Sequence, residues 1–242
     1  MDPRSQKPGK PGEALADRAL LGALFVLTLA TGMVDAASVL GLGRVFTANM
    51  TGNIVLLGFA LGGHHEVSIA ASLFAIAGFV VGAASGGRLV RSDAGLGLRR
   101  ALGLELVLFL AATATAALVV DRAASRPWLL VLLAAGMGLQ NAAVRRIAVA
   151  DLPTTVLTLT LTGVAADLFL KSGRNPRLLR RLGAIALMLA GAIAGALLLS
   201  LGLAVPIAAA SLAVAVAVAL AYSRRTEACE RSGSGDAHQL HP

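Results

Sequence analysis

Apolar residues in this chain gather in long unbroken blocks separated by short polar stretches. Six blocks stand out: Ala19–Leu40, Val67–Val90, Ala101–Val120, Pro127–Val144, Leu182–Leu203 and Val205–Tyr222. Each is close to the roughly 20 residues a helix needs to cross a hydrocarbon core about 30 Å thick. None shows the alternation of a membrane barrel strand. Lipid offers backbone amides no partners, so each block is expected to bond internally as a helix. The pattern predicts an all-α fold, a polytopic membrane helix bundle.

Two further apolar stretches are short. Thr47–Leu61 reaches about 22 Å as a helix and Pro153–Leu170 about 27 Å. The basic residues decide how to place them. Suppose both dip into the membrane and return to the side they came from, with the N-terminus inside. Then the Lys and Arg of the N-terminal tail, those from Arg88 to Arg100, those from Arg145 to Arg181, and those from Arg224 to Arg231 share the cytoplasmic face. Only Arg44, Arg122 and Arg126 remain outside. No other arrangement of the two stretches gives as strong a positive-inside bias. The expectation is six full spans plus two short re-entrant segments, 47–61 and 153–170, with both termini cytoplasmic. Residues 1–17 and 224–242 are polar and read as disordered cytoplasmic tails around a transmembrane domain, 18–223. The first block is too long for the apolar region of a signal peptide.

Composition agrees. The chain is 57% hydrophobic and 14% charged, against about half and a quarter in soluble domains. Lys and Arg outnumber Asp and Glu by 21 to 13, but they flank spans and aromatics are sparse. Nucleic acid is therefore not an expected partner. The single cysteine, Cys229, lies in the polar tail without a disulfide mate or metal-ligand spacing. Adjacent His64 and His65 point apart on a helix. No metal or cofactor is expected. Phosphate-cradling loops, zinc-protease motifs and nucleophile elbows are missing, so an enzyme is not expected.

The two halves, about 18–120 and 127–223, echo each other. Gly32-Met33 recurs as Gly136-Met137, Thr51 recurs as Thr155 at the same separation, and the third and sixth blocks start that far apart. Each half reads as span, short segment, span, span. Three crossings per half make the halves enter from opposite sides, a 3+3 inverted repeat of the kind common in transporters. Gly78, Gly82 and Gly86, and again Gly191 and Gly195, are spaced four apart, as close helix packing requires.

The stretches Thr31-Gly-Met-Val-Asp35-Ala-Ala, Arg44-Val-Phe-Thr-Ala-Asn49-Met-Thr-Gly-Asn53, Gly136-Met-Gly-Leu-Gln140-Asn141-Ala and Asp151-Leu-Pro-Thr-Thr155 resemble the YoaK family of bacterial inner-membrane proteins. The resemblance covers roughly Ala19 to Tyr222. It implies a six-helix protein of the bacterial inner (plasma) membrane. The family is itself a domain of unknown function, so no functional residues carry over.

The candidate site residues come from polarity at membrane depth. Asp35 lies about 24 Å along the first helix from Ala19. A carboxylate at a helix centre costs about 2.5–3.5 kcal/mol on insertion. It reads either as a proton, cation or substrate site or as a structural group that caps the helix end or bonds the short segment. Asn49, Thr51 and Asn53 cluster where the first short segment starts. Thr154 and Thr155 do so in the second, beside Pro153 and Asp151. If both segments return as helices, their N-termini and free N–H groups meet near the midplane, a setting for an anion or polar solute. Gln140 and Asn141 read as interhelical hydrogen bonders or as partners of Asp35. Glu105 is expected in an interfacial salt bridge with Arg99 or Arg100, Asp167 in another with Lys171, and Trp128 as an interface anchor. These features point to a transporter or channel for a small polar or anionic solute, with its site between two broken helical segments. The other reading is a non-transporting membrane protein: a sensor, assembly factor or partner subunit. The expected partners are the lipid bilayer and that solute, and a homodimer suits so small an inverted-repeat protein.

Overall fold

The computed structural model describes residues 11–64, 66–91, 94–119, 122–147, 157–169 and 176–236. Eight helices account for nearly all of them: α1 (Pro11–Gly41), α2 (Met50–Leu61), α3 (Ile69–Leu89), α4 (Ala94–Leu118), α5 (Arg122–Ile147), α6 (Leu157–Phe169), α7 (Pro176–Leu199) and α8 (Ala204–Asp236). Six of them, α1, α3, α4, α5, α7 and α8, are long and apolar enough to cross a membrane. The short helices α2 and α6 fall within the two short apolar stretches.

The sequence pattern misplaces some ends. Helix α1 starts at Pro11, inside the expected N-terminal tail of 1–17, and α8 runs on to Asp236, through the expected C-terminal tail from 224. The first extension contains Glu13, Ala14, Leu15 and Ala16, and the second Arg224, Arg225, Glu227, Ala228, Glu230 and Arg231, residues that hold helix well without an apolar face; proline suits a first turn. The fifth span was expected to reach Leu203. Its helix stops at Leu199, because Gly202 takes a φ of +124° and turns the chain directly into α8.

Helix directions follow from which residues meet. On α3, Gly78, Gly82 and Gly86 face Val131, Ala135 and Leu139 of α5 in turn, so α3 and α5 run parallel. On α7, Gly191 and Gly195 face Leu29 and Met33 of α1, so that pair is parallel too. Helix α8 doubles back on α7. Helix α4 is antiparallel to α8, since Thr113 meets Ser211 while Arg99 reaches Ala221. It also doubles back on α3, where Gly97 abuts Leu89 and Val90. Thus α1, α4 and α7 point one way and α3, α5 and α8 the other. Helix α1 ends, and α3 begins, at one end of the bundle; α5 ends, and α7 begins, at the opposite end. The chain through α2 therefore leaves and rejoins a single end, and α6 lies in the corresponding connection at the other.

The main packing pairs are α3 with α5, α1 with α7, α1 with α8, α4 with α5 and α4 with α8, while α2 rests on α3 and α6 on α7. The core between them contains Leu24, Leu27, Phe109, Leu130, Leu133, Met137, Ile207 and Val214. Large apolar residues on the outward faces, among them Val80, Val81, Val107, Leu189, Ile193, Leu197 and Leu212, are exposed, as lipid-facing positions should be.

Candidate functional site

The first short segment is tied back along α1. After Gly41, Gly43 (φ +119°) and Arg44 (φ +61°) reverse the chain. Ser38 Oγ donates to the Val45 carbonyl at 2.6 Å. One turn deeper, Asp35 Oδ1 accepts three hydrogen bonds: from Thr47 N–H at 2.9 Å, Thr47 Oγ1 at 2.9 Å and Ala48 N–H at 3.0 Å. By residue 48 the chain has therefore come back about 9 Å along α1 from its end. Asn53 holds the same stretch from the other side. Its Oδ1 accepts from Phe46 N–H at 2.8 Å, and its Nδ2 donates to the Phe46 carbonyl at 2.6 Å. Asn49 caps α2, accepting from Gly52 N–H at 3.3 Å. Outside these bonds an exposed ion pair, Arg44 to Glu66 at 2.9 Å, joins the two linkers of α2; at that exposure it adds at most about 1 kcal/mol.

A cavity of about 910 Å³ opens beside this segment. Its polar lining is Asp35 from α1, Asn49 and Thr51 at the start of α2, Asn141 from α5 and Thr158 from α6. Phe79 of α3 and Met188 and Ala192 of α7 close its apolar side. The cavity thus touches both short helices and the two tightest helix crossings. Asp35 is its one charged side chain. Among the described residues Asp35 Oδ2 takes no hydrogen bond, all three going to Oδ1.

Of the expected site residues, the structure brings Asp35, Asn49, Thr51 and Asn141 together. Asn53 is buried but away from the cavity, as a brace for the chain before α2. Gln140 is buried and reaches α1, donating from Nε2 to Thr31 Oγ1 at 3.2 Å. Asn141 donates from Nδ2 to the Met137 carbonyl. Thr154 and Thr155, with Asp151 and Pro153, lie outside the described residues, as does the Asp167 side chain. Thr158 was missed by sequence reasoning. Thr158 and Thr162 lie one turn apart on α6, and two hydroxyls on one face of an apolar stretch were the available signal.

The amides of Thr47 and Ala48, just before α2, are bonded to Asp35, while Asn49 caps the helix itself. One expectation changes. Glu105 is not in a salt bridge: its side chain is fully buried and neither oxygen has a hydrogen-bond partner. Neither Arg99 nor Arg100 stands three or four residues before it, so neither shares its helix face. Arg99 instead donates to the Ala221 carbonyl at 3.1 Å and lies over the Tyr222 ring, 5.5 Å from its centroid.

Six apolar membrane-length helices packed into one bundle define a multi-pass helical membrane protein. The chain belongs to the family described as "Protein of unknown function (DUF1275)", which it matches over residues 23–221. It is 39% identical over 188 residues to the UPF0700 transmembrane protein YoaK of Bacillus subtilis (strain 168), covering 72% of this chain and 81% of that one. No solved structure matches it.

Proposed function

We propose that this membrane protein is a transporter or channel for a small polar solute bound in the cavity between α2 and α6. The observation that carries this reading is the cavity itself, because it joins both short helices to a buried carboxylate about 9 Å inside the end of α1. Buried breaks in membrane helices are tolerated where they line such spaces. The helix packing supports an inverted repeat. Exchanging α1 with α5, α2 with α6, α3 with α7 and α4 with α8 maps each main packing pair onto another or onto itself. The register under this exchange differs from the literal sequence echo. Gly32 approaches Met188 and Ala192 as Gly138 approaches Phe79 and Ala83, so Gly32 corresponds to Gly138 rather than to Gly136. In that register Asp35 corresponds to Asn141, and both line the cavity. Since Asp35 is the one charged side chain in the cavity lining, the solute class favoured is neutral or cationic rather than anionic.

In purified protein, a polyol, a small amide or a small ammonium ion should raise the thermal unfolding midpoint, as any ligand of the folded state does. Small carboxylates should not, and Thr158→Trp should remove the effect by filling the cavity. A shift that survives Thr158→Trp, or none from any class, would sink this reading and favour a non-transporting role.

We further propose that the N- and C-termini face the cytoplasm of a bacterial inner membrane, with both short segments re-entrant. In a Cys229→Ser background, Arg44→Cys and Gly63→Cys, which flank the first short segment, should react with impermeant thiol reagent from outside, and Arg146→Cys and Ser172→Cys, which flank the second, only from inside. The opposite labelling at all four would invert the orientation; a flanking pair that labels from opposite sides would make that segment a full crossing.

A further inference from the structure

Within the apolar, membrane-length parts of the six long helices, which run from Arg18 in α1 and stop at Ser223 in α8, the only carboxyl groups are Asp35 and Glu105. Asp35 has its three donors. Glu105, on α4, has none: Oε1 and Oε2 are both buried without a partner. Its stem packs on α5, where a Cβ at Gly136 would stand 3.4 Å from Glu105 Cγ. Gln140 lies one turn further along that face of α5. Its Nε2 is committed to Thr31, and its Oε1 is buried without a partner.

The two side chains therefore present three acceptor oxygens without a partner, against one amide N–H of Gln140 left over from the Thr31 bond, which does not reach Glu105. Ser72, the remaining buried side chain without a partner among the described residues, sits at the start of α3, where its neighbour Ala71 faces Gly43. No titratable side chain answers Glu105 from the packed elements. Helix α3 has none from Ile69 to Gly87, α5 none from Pro127 to Val144, and α8 none from Ala204 to Ala221. Arg99 is engaged by Ala221 and Tyr222. Buried polar atoms are nearly always paired, and an ionised carboxylate left alone at this depth is among the most costly groups to bury. The smallest ligand that turns an acceptor here into a donor is a proton.

We propose that Glu105 is a reversible proton-binding site, its bound proton donated to Gln140 Oε1. The proton comes from water and returns to it, with no other bond made or broken. Gln140 then links the site through Thr31 Oγ1 to α1, where Asp35 stands one turn beyond Thr31 at the cavity wall. The use of this proton to drive solute movement rests on the transport reading above; the binding site does not.

Infrared difference spectroscopy of the full chain in lipid nanodiscs, titrated over pH, tests the site without any transport assay. A protonated-carboxyl carbonyl band should disappear reversibly as pH rises and shift in deuterated buffer. It should be absent in Glu105→Gln and present in Asp35→Asn. If Glu105→Gln does not fold, Gln140→Leu replaces it, and a changed frequency of the Glu105 band is then expected. An ionised Glu105 at every pH, held by a Gln140 amide N–H or answering to added sodium, overturns the proposal. So does a band that no pH removes, which marks a permanently protonated structural acid.

Discussion

Gly82→Leu should yield no monodisperse, cooperatively unfolding protein after detergent extraction, whereas Gly87→Leu on the same helix should behave like the wild type. A Cβ on Gly82 would fall on the backbone carbonyl of Ala135, and the neighbouring Gly78 and Gly86 make the same close approach to Val131 and Leu139. Backbone cannot move aside as a side chain does. Relief requires α3 and α5 to separate along their whole contact, which forfeits many atom pairs at about 0.1–0.2 kcal/mol each. Overpacking alone costs about 1–3 kcal/mol, and association in lipid rests largely on such packing. At Gly87 a Cβ meets nothing within 4 Å. Thermal unfolding followed by size-exclusion chromatography decides. Equal behaviour of the two variants would mean that α3 and α5 are not in backbone contact.

Asp35→Ala should release the chain before α2. Three donors converge on one oxygen, and an orphaned buried donor costs about 1–3 kcal/mol. The loss should reach roughly 3 kcal/mol or more. Asp35→Asn keeps an acceptor oxygen and should fall between the wild type and Asp35→Ala. The direct readout is amide hydrogen exchange at Thr47 and Ala48, slow in the wild type and fast in Asp35→Ala. Unchanged protection in that variant would show that the carboxylate does not hold the segment.

Much of the fold was legible because membrane helices announce themselves by length and apolarity, independently of tertiary contacts. The expected span Val67–Val90 brackets α3, Ile69–Leu89. The glycine spacing on α3 and α7 was readable for the same reason: only the smallest side chain permits that approach. The ends of α1 and α8 were not, since polar residues that continue a helix look like tail. The site was half legible. Asp35, Asn49, Thr51 and Asn141 stand out as polar groups in apolar stretches. Their partners do not, because nothing in the sequence says that residue 47 folds back to the level of residue 35. Glu105 was misread for a related reason. Nearness to Arg99 and Arg100 in sequence suggested a pair, but helical rotation aims the three side chains apart.

The tightest helix crossings join the two halves of the chain rather than lie within either. Helix α1 waits for α7, and α3 for α5. During synthesis, α1 therefore enters the bilayer long before the surface that Gly32 must meet has been made, an interval on the order of 10 s at bacterial elongation rates. For that time its carboxylate and its buried hydroxyls, Thr28, Thr31 and Ser38, have only lipid, the insertion machinery and each other. Thr28 and Thr31 bond back to their own helix, to the carbonyls of Leu24 and Leu27. Asp35 finds its donors in the next residues to emerge, Thr47 and Ala48. The first helix thus satisfies most of its polar groups locally, which lets it persist in the bilayer as an unassembled intermediate until the second half arrives.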